Sequence, residues 1–182
     1  MKPSISAIIL TFNEEKNLEN CLKSIADLIS EIIIVDSGST DKTVEIAKRY
    51  NAKIFAHPFV NQADQFNWAL DNVPISGEWI LKLDADEYLT PELKTEIESH
   101  PLLTTNYLAR LVSQGEAGGS LSTSNITGFY IKRRVYFLHR WIRHGGYYPI
   151  SFLRLWRKSM GRSENRKMDE HRVKRDRHSL VS

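Results

Sequence analysis

Three carboxylates close the short run Trp79-Ile80-Leu81-Lys82-Leu83-Asp84-Ala85-Asp86-Glu87. A sheet gains nothing from such a cluster, and crowded carboxylates repel one another unless a cation sits among them. Oxygen donors of this kind suit Mg²⁺ or Mn²⁺, which bind through one or two carboxylates while a substrate phosphate completes the shell. The plainer alternative is a solvated acidic turn ahead of a helix, since Thr90-Pro91-Glu92 is a good helix start. Thr11-Phe12-Asn13-Glu14 and Asp36-Ser37-Gly38-Ser39-Thr40-Asp41 also end apolar runs. Asp36 either closes an Asx-turn or offers an acceptor to a ligand N–H. Gly38 permits a tight turn, and Asp41 is either a ligand contact or favourable charge at a helix N-terminus.

A second set of candidates is basic and aromatic. Arg143-His144-Gly145-Gly146 joins cationic donors to a backbone free of side-chain bulk, which suits close approach to a phosphate or sugar. Trp141, Tyr147 and Tyr148 lie among Lys132, Arg133, Arg134, Arg140, Arg143, Arg154 and Arg157. Such interleaving fits sugar stacking or a peripheral membrane contact; alternatively the aromatics are core and the cations a solvated face. Nucleic acid is disfavoured as a partner, because the acidic cluster would repel a phosphate backbone.

The elements that must position these residues alternate. Residues 5–10 and 32–35 are apolar enough for buried strands, 53–56 makes a short third, and 79–83 a fourth. Leu18, Leu22, Ile25 and Ile29 recur at helical spacing after the first strand. A second helix is expected to be capped by Ser39 or Thr40 and to turn Val44, Ala47 and Tyr50 inward. Phe66, Ala69, Leu70 and Val73 mark a third. This is an α/β chain with a doubly wound, mostly parallel sheet, in which ligands bind beyond the carboxyl ends of the strands. Beyond His100, residues 107–112 and 128–138 read as longer strands around a Gly/Ser-rich loop at 115–125. Residues 161–182 read as a weakly patterned basic stretch, expected to be irregular.

The 182 residues suffice for one domain with a core. A net charge of +3 hides an asymmetry, with most acids before residue 101 and dense Arg and Lys after residue 132, which points to an anionic partner. Cys21, the single cysteine, falls on an apolar helical face and fits a reducing compartment. With no run long enough to span a membrane and no signal-peptide pattern, a cytoplasmic location is expected.

Thr11-Phe12-Asn13-Glu14, Val35-Asp36-Ser37-Gly38-Ser39-Thr40-Asp41 and Leu83-Asp84-Ala85-Asp86, in this order and spacing, resemble the family 2 glycosyltransferases. The run from Tyr136 to Pro149 is similar to the branch that builds bacterial lipopolysaccharide core and related surface polysaccharides. The resemblance covers residues 4 to about 171 and implies a GT-A fold: a Rossmann-like sheet with a nucleotide-binding half at 1–100, an acceptor half at 101–171 and a tail at 172–182. It implies a UDP-sugar donor, with Asp36 against uracil and Thr11, Phe12, Asn13, Glu14, Gly38 and Asp41 lining base and ribose. Asp84 and Ala85 would approach the ribose and metal region, and Asp86, with Asp84, would ligate Mn²⁺ or Mg²⁺. Gln65 and Asn67 fall loosely where relatives contact the nucleotide from a helix, without the arginine often found there. Trp141, Arg143, His144, Gly145, Gly146 and Tyr147 would face acceptor or phosphate.

Inverting transfer is a single displacement that needs a carboxylate to take the acceptor's proton. Met168-Asp169-Glu170-His171 resembles the acidic element that supplies this base in relatives, with Glu170 first and Asp169 second. Relatives run on beyond that element, so a shortened or truncated member with a more complete donor than acceptor side is expected. The implied acceptor is lipopolysaccharide core or a lipid-linked saccharide, reached at the inner face of the plasma membrane. Two other readings stand beside it: a nucleotide-sugar-binding fragment without turnover, and a nucleotidyltransferase. The latter normally carries a Gly-rich, Arg-containing loop after its first strand, where this chain has Thr11 to Glu15.

Overall fold

Apolar runs too continuous to face water on either side form the centre of the molecule. A computed structural model of the chain describes residues 2–103, 126–137, 140–144, 148–163, 171–173 and 177–180. Its strands are β1 (Ile5–Thr11), β2 (Glu31–Asp36), β3 (Lys53–Ala56), β4 (Trp79–Asp84), β5 (Gly128–Arg133), β6 (Tyr136–Phe137), β7 (Arg140–Trp141), β8 (Ile150–Arg157), β9 (Gly161–Ser163), β10 (His171–Val173) and β11 (Arg177–Leu180). The helices are α1 (Leu18–Ile25), α2 (Thr43–Arg49), α3 (Gln62–Asn72) and α4 (Pro91–Ser99).

Seven strands form one sheet in the order β11-β5-β8-β4-β1-β2-β3. Pairing is parallel from β3 to β4 and between β5 and β11, whereas β8 runs antiparallel to both β4 and β5. Every residue of β2 is buried, and β1 and β4 nearly so, as expected for strands covered on both faces. One face packs on α1, α2 and α4 through Leu18, Leu22, Ile25, Ile46, Leu93 and Ile97. The other packs on α3 through Phe66, Ala69 and Val73, with Trp156 of β8.

The chain leaves β1 for β2 and β3 on one side, then returns to place β4 on the other. Strand order therefore reverses between β1 and β4, and a crevice opens beyond their carboxyl ends. Register sets the ends level, with Thr11 beside Asp36 and Leu10 beside Asp84.

At the opposite, amino end of the sheet a buried polar knot ties the same strands. Glu31 accepts hydrogen bonds from Ser6 Oγ, Lys53 Nζ and the Ser76 N–H, while Gly77 N–H donates to Ser6 Oγ at 2.9 Å. A Cβ on Gly77 would lie 2.6 Å from the Ser6 nitrogen, so only glycine fits this approach. Burial opposes ionisation of Glu31, yet the Lys53 and Ser6 hydrogen bonds hold its pKa down to about 2.

Four expectations change. On the inner face of α2 Ala47 is buried and Tyr50 packs against the core as expected, but Thr43 and Ile46 complete that face and Val44 is only half-buried. Neither residue caps it; Asp41 accepts from the Thr43 N–H instead. The strand expected over 128–138 stops at Arg133, and β6 and β7 form a separate two-stranded hairpin. Within 161–182, expected to be irregular, β9 pairs with β10 and β11 joins the main sheet beside β5. Edge strands gain their order from backbone ladders, which need no apolar alternation to form. The expected strand at 107–112 and the loop at 115–125 lie outside the described residues.

Candidate functional site

The loops after β1 and β2 are stapled to each other before any ligand is considered. Asn13 takes a positive φ of 55°, which tucks its amide under the facing loop. Its Oδ1 accepts from the Thr40 N–H at 2.9 Å, and its own N–H donates to Ser39 Oγ at 2.9 Å. Glu14 N–H donates to Thr43 Oγ1 at 2.7 Å, and Glu15 N–H to Asp41 Oδ2 at 3.1 Å. Against a desolvation cost, the Thr43 and Glu15 hydrogen bonds hold the Asp41 carboxyl below the usual carboxylate range. Asp41 thus fastens the two loops and starts α2.

Asp36 is more heavily engaged. Its carboxylate accepts from Thr11 Oγ1 at 2.9 Å, Gly38 N–H at 3.0 Å, Ser39 N–H at 2.8 Å and Ser39 Oγ. Four donors fill the four acceptor positions of a carboxylate, so any nucleobase N–H must displace or share one. Gly38, at φ 90°, supplies the turn that brings these amides back onto Asp36. Gln65 is buried in α3 and donates to Ser37 Oγ at 2.5 Å and to the Val35 carbonyl, supporting this loop from beneath. Asn67 instead clamps β9, exchanging two hydrogen bonds with Ser163. Phe12 is 58 % exposed and offers a bare aromatic face at the rim.

The third cluster is the turn after β4. The Glu87 N–H donates to the Asp84 carbonyl at 2.9 Å, and the Asp84 N–H donates back to Glu87 Oε2 at 3.2 Å. Ala85 is buried in this turn and Asp86 points outward, exposed. Arg154 of β8 reaches both flanking acids, its Nη2 lying 3.0 Å from Asp84 Oδ2 and 2.8 Å from Glu87 Oε1. Burial raises the Glu87 pKa; the Arg154 charge opposes this, and Asp84 and Asp86 add to it. The Cys21 thiol beneath is pushed far up by burial, then by the charges of Glu87, Asp84, Asp86 and Glu14. The first and fourth strand ends meet in one place, with Leu10 paired to Asp84 and both Glu14 and Asp84 lining one cavity.

A cavity of about 670 Å³ opens here. Glu14, Asp84, Asp86 and Glu87 form its acidic edge; Lys132, Arg133, Arg134 and Arg154 line it from β5, its trailing loop and β8. Among the described residues no group of three or more His, Cys, Asp or Glu side chains is disposed to hold a metal ion. The outward Asp86, with Asp84 behind it, presents hard oxygen donors in the number that Mg²⁺ or Mn²⁺ takes from a protein when substrate phosphates complete its shell. The donor set therefore fits such an ion.

On the hairpin side, Trp141 gathers Arg143, Arg134 and Tyr148 around its ring. His144 is exposed. Gly145, Gly146, Tyr147, Asp169 and Glu170 lie outside the described residues. The sequence placed Arg154 with surface cations; in the fold it is buried and bound to the acidic turn. Its position inside the apolar run Leu153 to Trp156 was the available signal, since a buried arginine needs an acid partner.

Comparison with known proteins gives the family. The sequence model of "Glycosyl transferase family 2" matches residues 6–167. An uncharacterised glycosyltransferase of Rickettsia bellii (strain RML369-C) is 43 % identical over 94 residues, covering 52 % of this chain and 31 % of that protein. The glycosyltransferase SunS of Bacillus subtilis (strain 168) is 34 % identical over 97 residues, 52 % of this chain and 23 % of that protein. The chain thus spans a third or less of the length of these relatives. Among solved structures, glucosyl-3-phosphoglycerate synthase of Mycobacterium tuberculosis, crystallised with Mn²⁺, UDP and glucosyl-3-phosphoglycerate, aligns with a TM-score of 0.44 at 25 % identity. That alignment covers 56 % of this chain and 40 % of the synthase. TarS of S. aureus, residues 1–349, aligns with a TM-score of 0.48 at 21 % identity over 88 % of this chain and 48 % of its own. With strand order, crevice and motifs in agreement, the chain belongs to glycosyl transferase family 2 and has the GT-A fold.

Proposed function

We propose that this chain moves a sugar, with inversion, from a UDP-sugar to a lipopolysaccharide-core or lipid-linked saccharide acceptor. Family membership supports glycosyl transfer. The observation that carries the donor side is the level register of three strand ends at the strand-order reversal, Thr11 beside Asp36 and Leu10 beside Asp84, next to a cavity lined by Leu10, Glu14, Asp84 and Asp86.

In this reading the stapled loops after β1 and β2 form a rigid seat for the nucleoside. Phe12 is available to lie against the base, while Asp36 fixes the loop and trades one internal hydrogen bond for the uracil N–H. Asp86, assisted by Asp84, would hold Mn²⁺ or Mg²⁺, which supplies compensation for charge on the departing diphosphate. Arg154 keeps Glu87 and Asp84 from repelling each other and leaves Asp86 facing outward. Glu170, or Asp169 in its place, takes the proton from the acceptor hydroxyl as the new bond forms. Trp141, Arg143, His144 and the residues 145–147 receive the acceptor. Among the described residues no helix is long and apolar enough to cross a membrane; the acceptor is met by peripheral contact at the inner membrane face.

A UDP-release assay with a panel of UDP-sugars, Mn²⁺ and lipopolysaccharide-core acceptor tests this. Acceptor-dependent UDP release is expected. UDP binding without release would make the chain a nucleotide-sugar-binding domain and not a complete catalyst.

A further inference from the structure

Two guanidiniums that line the cavity, Arg133 and Arg134, and a third, Arg143, which shares a ring with Arg134, are held by aromatic rings and, among the described residues, by no acid. Arg134 stands 4.9 Å and Arg143 4.3 Å from the Trp141 ring centroid, and Arg133 stands 4.7 Å from that of Phe152. Among the described residues none of the three makes an ion pair. Glu92, heading α4, feels the Arg134 charge without pairing to it. Two buried donors here, Arg134 Nε and Trp141 Nε1, find no acceptor among the described residues. Tyr148 braces the Trp141 ring edge-on at 5.0 Å. Buried N–H groups without acceptors are costly. A ligand oxygen carrying negative charge would remove that penalty and gain charge-assisted hydrogen bonds from the neighbouring guanidiniums.

We propose that Arg134, Trp141 and Arg143 form an anion-binding subsite for the acceptor, so that the acceptor saccharide carries a phosphate or carboxylate near the hydroxyl that is glycosylated. This rests on the glycosyl-transfer reading. The donor's diphosphate is the other available anion. In the proposed function it would be matched by a divalent cation that Asp86 and Asp84 would hold, whereas Arg134 reaches the same cavity from the loop after β5. The flat Trp141 ring holds Arg134 and Arg143 in place, and that pre-organisation favours a compact anion over a flexible one.

The test titrates the full chain with glucose 6-phosphate, with glucose, and separately with UDP and Mn²⁺, by calorimetry or saturation-transfer NMR. Glucose 6-phosphate should bind and glucose should not at the same concentration. The double variant Arg134→Gln/Arg143→Gln should bind glucose 6-phosphate at least about tenfold more weakly, as loss of charge-assisted hydrogen bonds implies. Its affinity for UDP with Mn²⁺ should stay within about twofold of the parent's, since no donor contact is removed. Should the double variant fail to fold, Trp141→Phe keeps an aromatic face, removes one N–H, and should weaken glucose 6-phosphate alone. Equal binding of glucose and its phosphate, or unchanged phosphate binding in folded variants, overturns the proposal. Loss of UDP affinity in the double variant assigns the cations to the donor and also overturns it. If the parent binds glucose 6-phosphate through Arg134 and Arg143 but never binds UDP, the subsite stands and the UDP-donor reading falls.

Discussion

Replacing Arg154 with Gln removes the internal cation that holds the turn after β4. Its Nη2 lies 3.0 Å from Asp84 and 2.8 Å from Glu87, and its side chain is only 8 % exposed. Breaking a fully buried pair by deleting one partner costs about 3–5 kcal/mol. Asp84 and Glu87 retain 28 % and 19 % of their side-chain exposure, so solvent screens part of that loss. A cost of about 2–3 kcal/mol is the reasonable figure, which for a chain of this size lowers Tm by roughly 5–10 °C. With that cation gone the potential at Asp84, Asp86 and Glu87 becomes more negative, and the turn should then recruit a divalent cation more strongly than the parent turn does. Differential scanning calorimetry in metal-free buffer and with Mn²⁺ measures both effects. Arg154→Gln should melt lower without metal, and Mn²⁺ should raise its Tm by more than it raises the parent's. An unchanged Tm without metal, or equal Mn²⁺ shifts in both proteins, would refute the role assigned to Arg154.

Other outcomes follow from particular side chains. Glu31 has its folded pKa held at about 2, below the ordinary value of 4.5, so its stabilisation is full above that ordinary value and is lost as pH falls toward the folded one. Unfolding free energies from urea titrations of the parent and Glu31→Gln, measured between about pH 5 and pH 2, should differ by roughly 2–3 kcal/mol at the upper end and converge at the lower. Asp86→Ala should remove the Mn²⁺-dependent part of UDP affinity in calorimetry and leave Tm within about 2 °C of the parent, because its exposed carboxylate holds no other element. Glu170→Gln should bind UDP as the parent does and release none in the acceptor assay; full activity would move the base to Asp169.

The sheet was legible because β1, β2 and β4 are apolar on both faces, and only covered parallel strands read that way. The helical spacing of Leu18, Leu22 and Ile25 was equally direct. Three polar clusters at strand ends followed from that alternation alone. What each acid does inside its cluster was not legible. Asp36 is spoken for by Thr11 and Ser39, Asp41 by Thr43 and Glu15, and Asp84 with Glu87 by an arginine about seventy residues onward. Those partners are fixed by tertiary packing, which spacing along the chain does not encode. On α2 the cap was misread and Val44 was misplaced: the Ser39 and Thr40 hydroxyls suggested caps, while the fold spends both on Asn13 and Asp36. The strands β9 to β11 escaped notice because their pairing depends on neighbours and not on hydrophobic pattern.

The crevice beyond β1, β2 and β4 is proposed to be a nucleoside-diphosphate site served by a divalent cation. A crystal of the full chain soaked with UDP and Mn²⁺ examines that directly. Anomalous signal from manganese within reach of Asp86, with the uracil over the stapled loops, is the predicted result. UDP bound elsewhere, or no binding there at saturating concentrations, would contradict it.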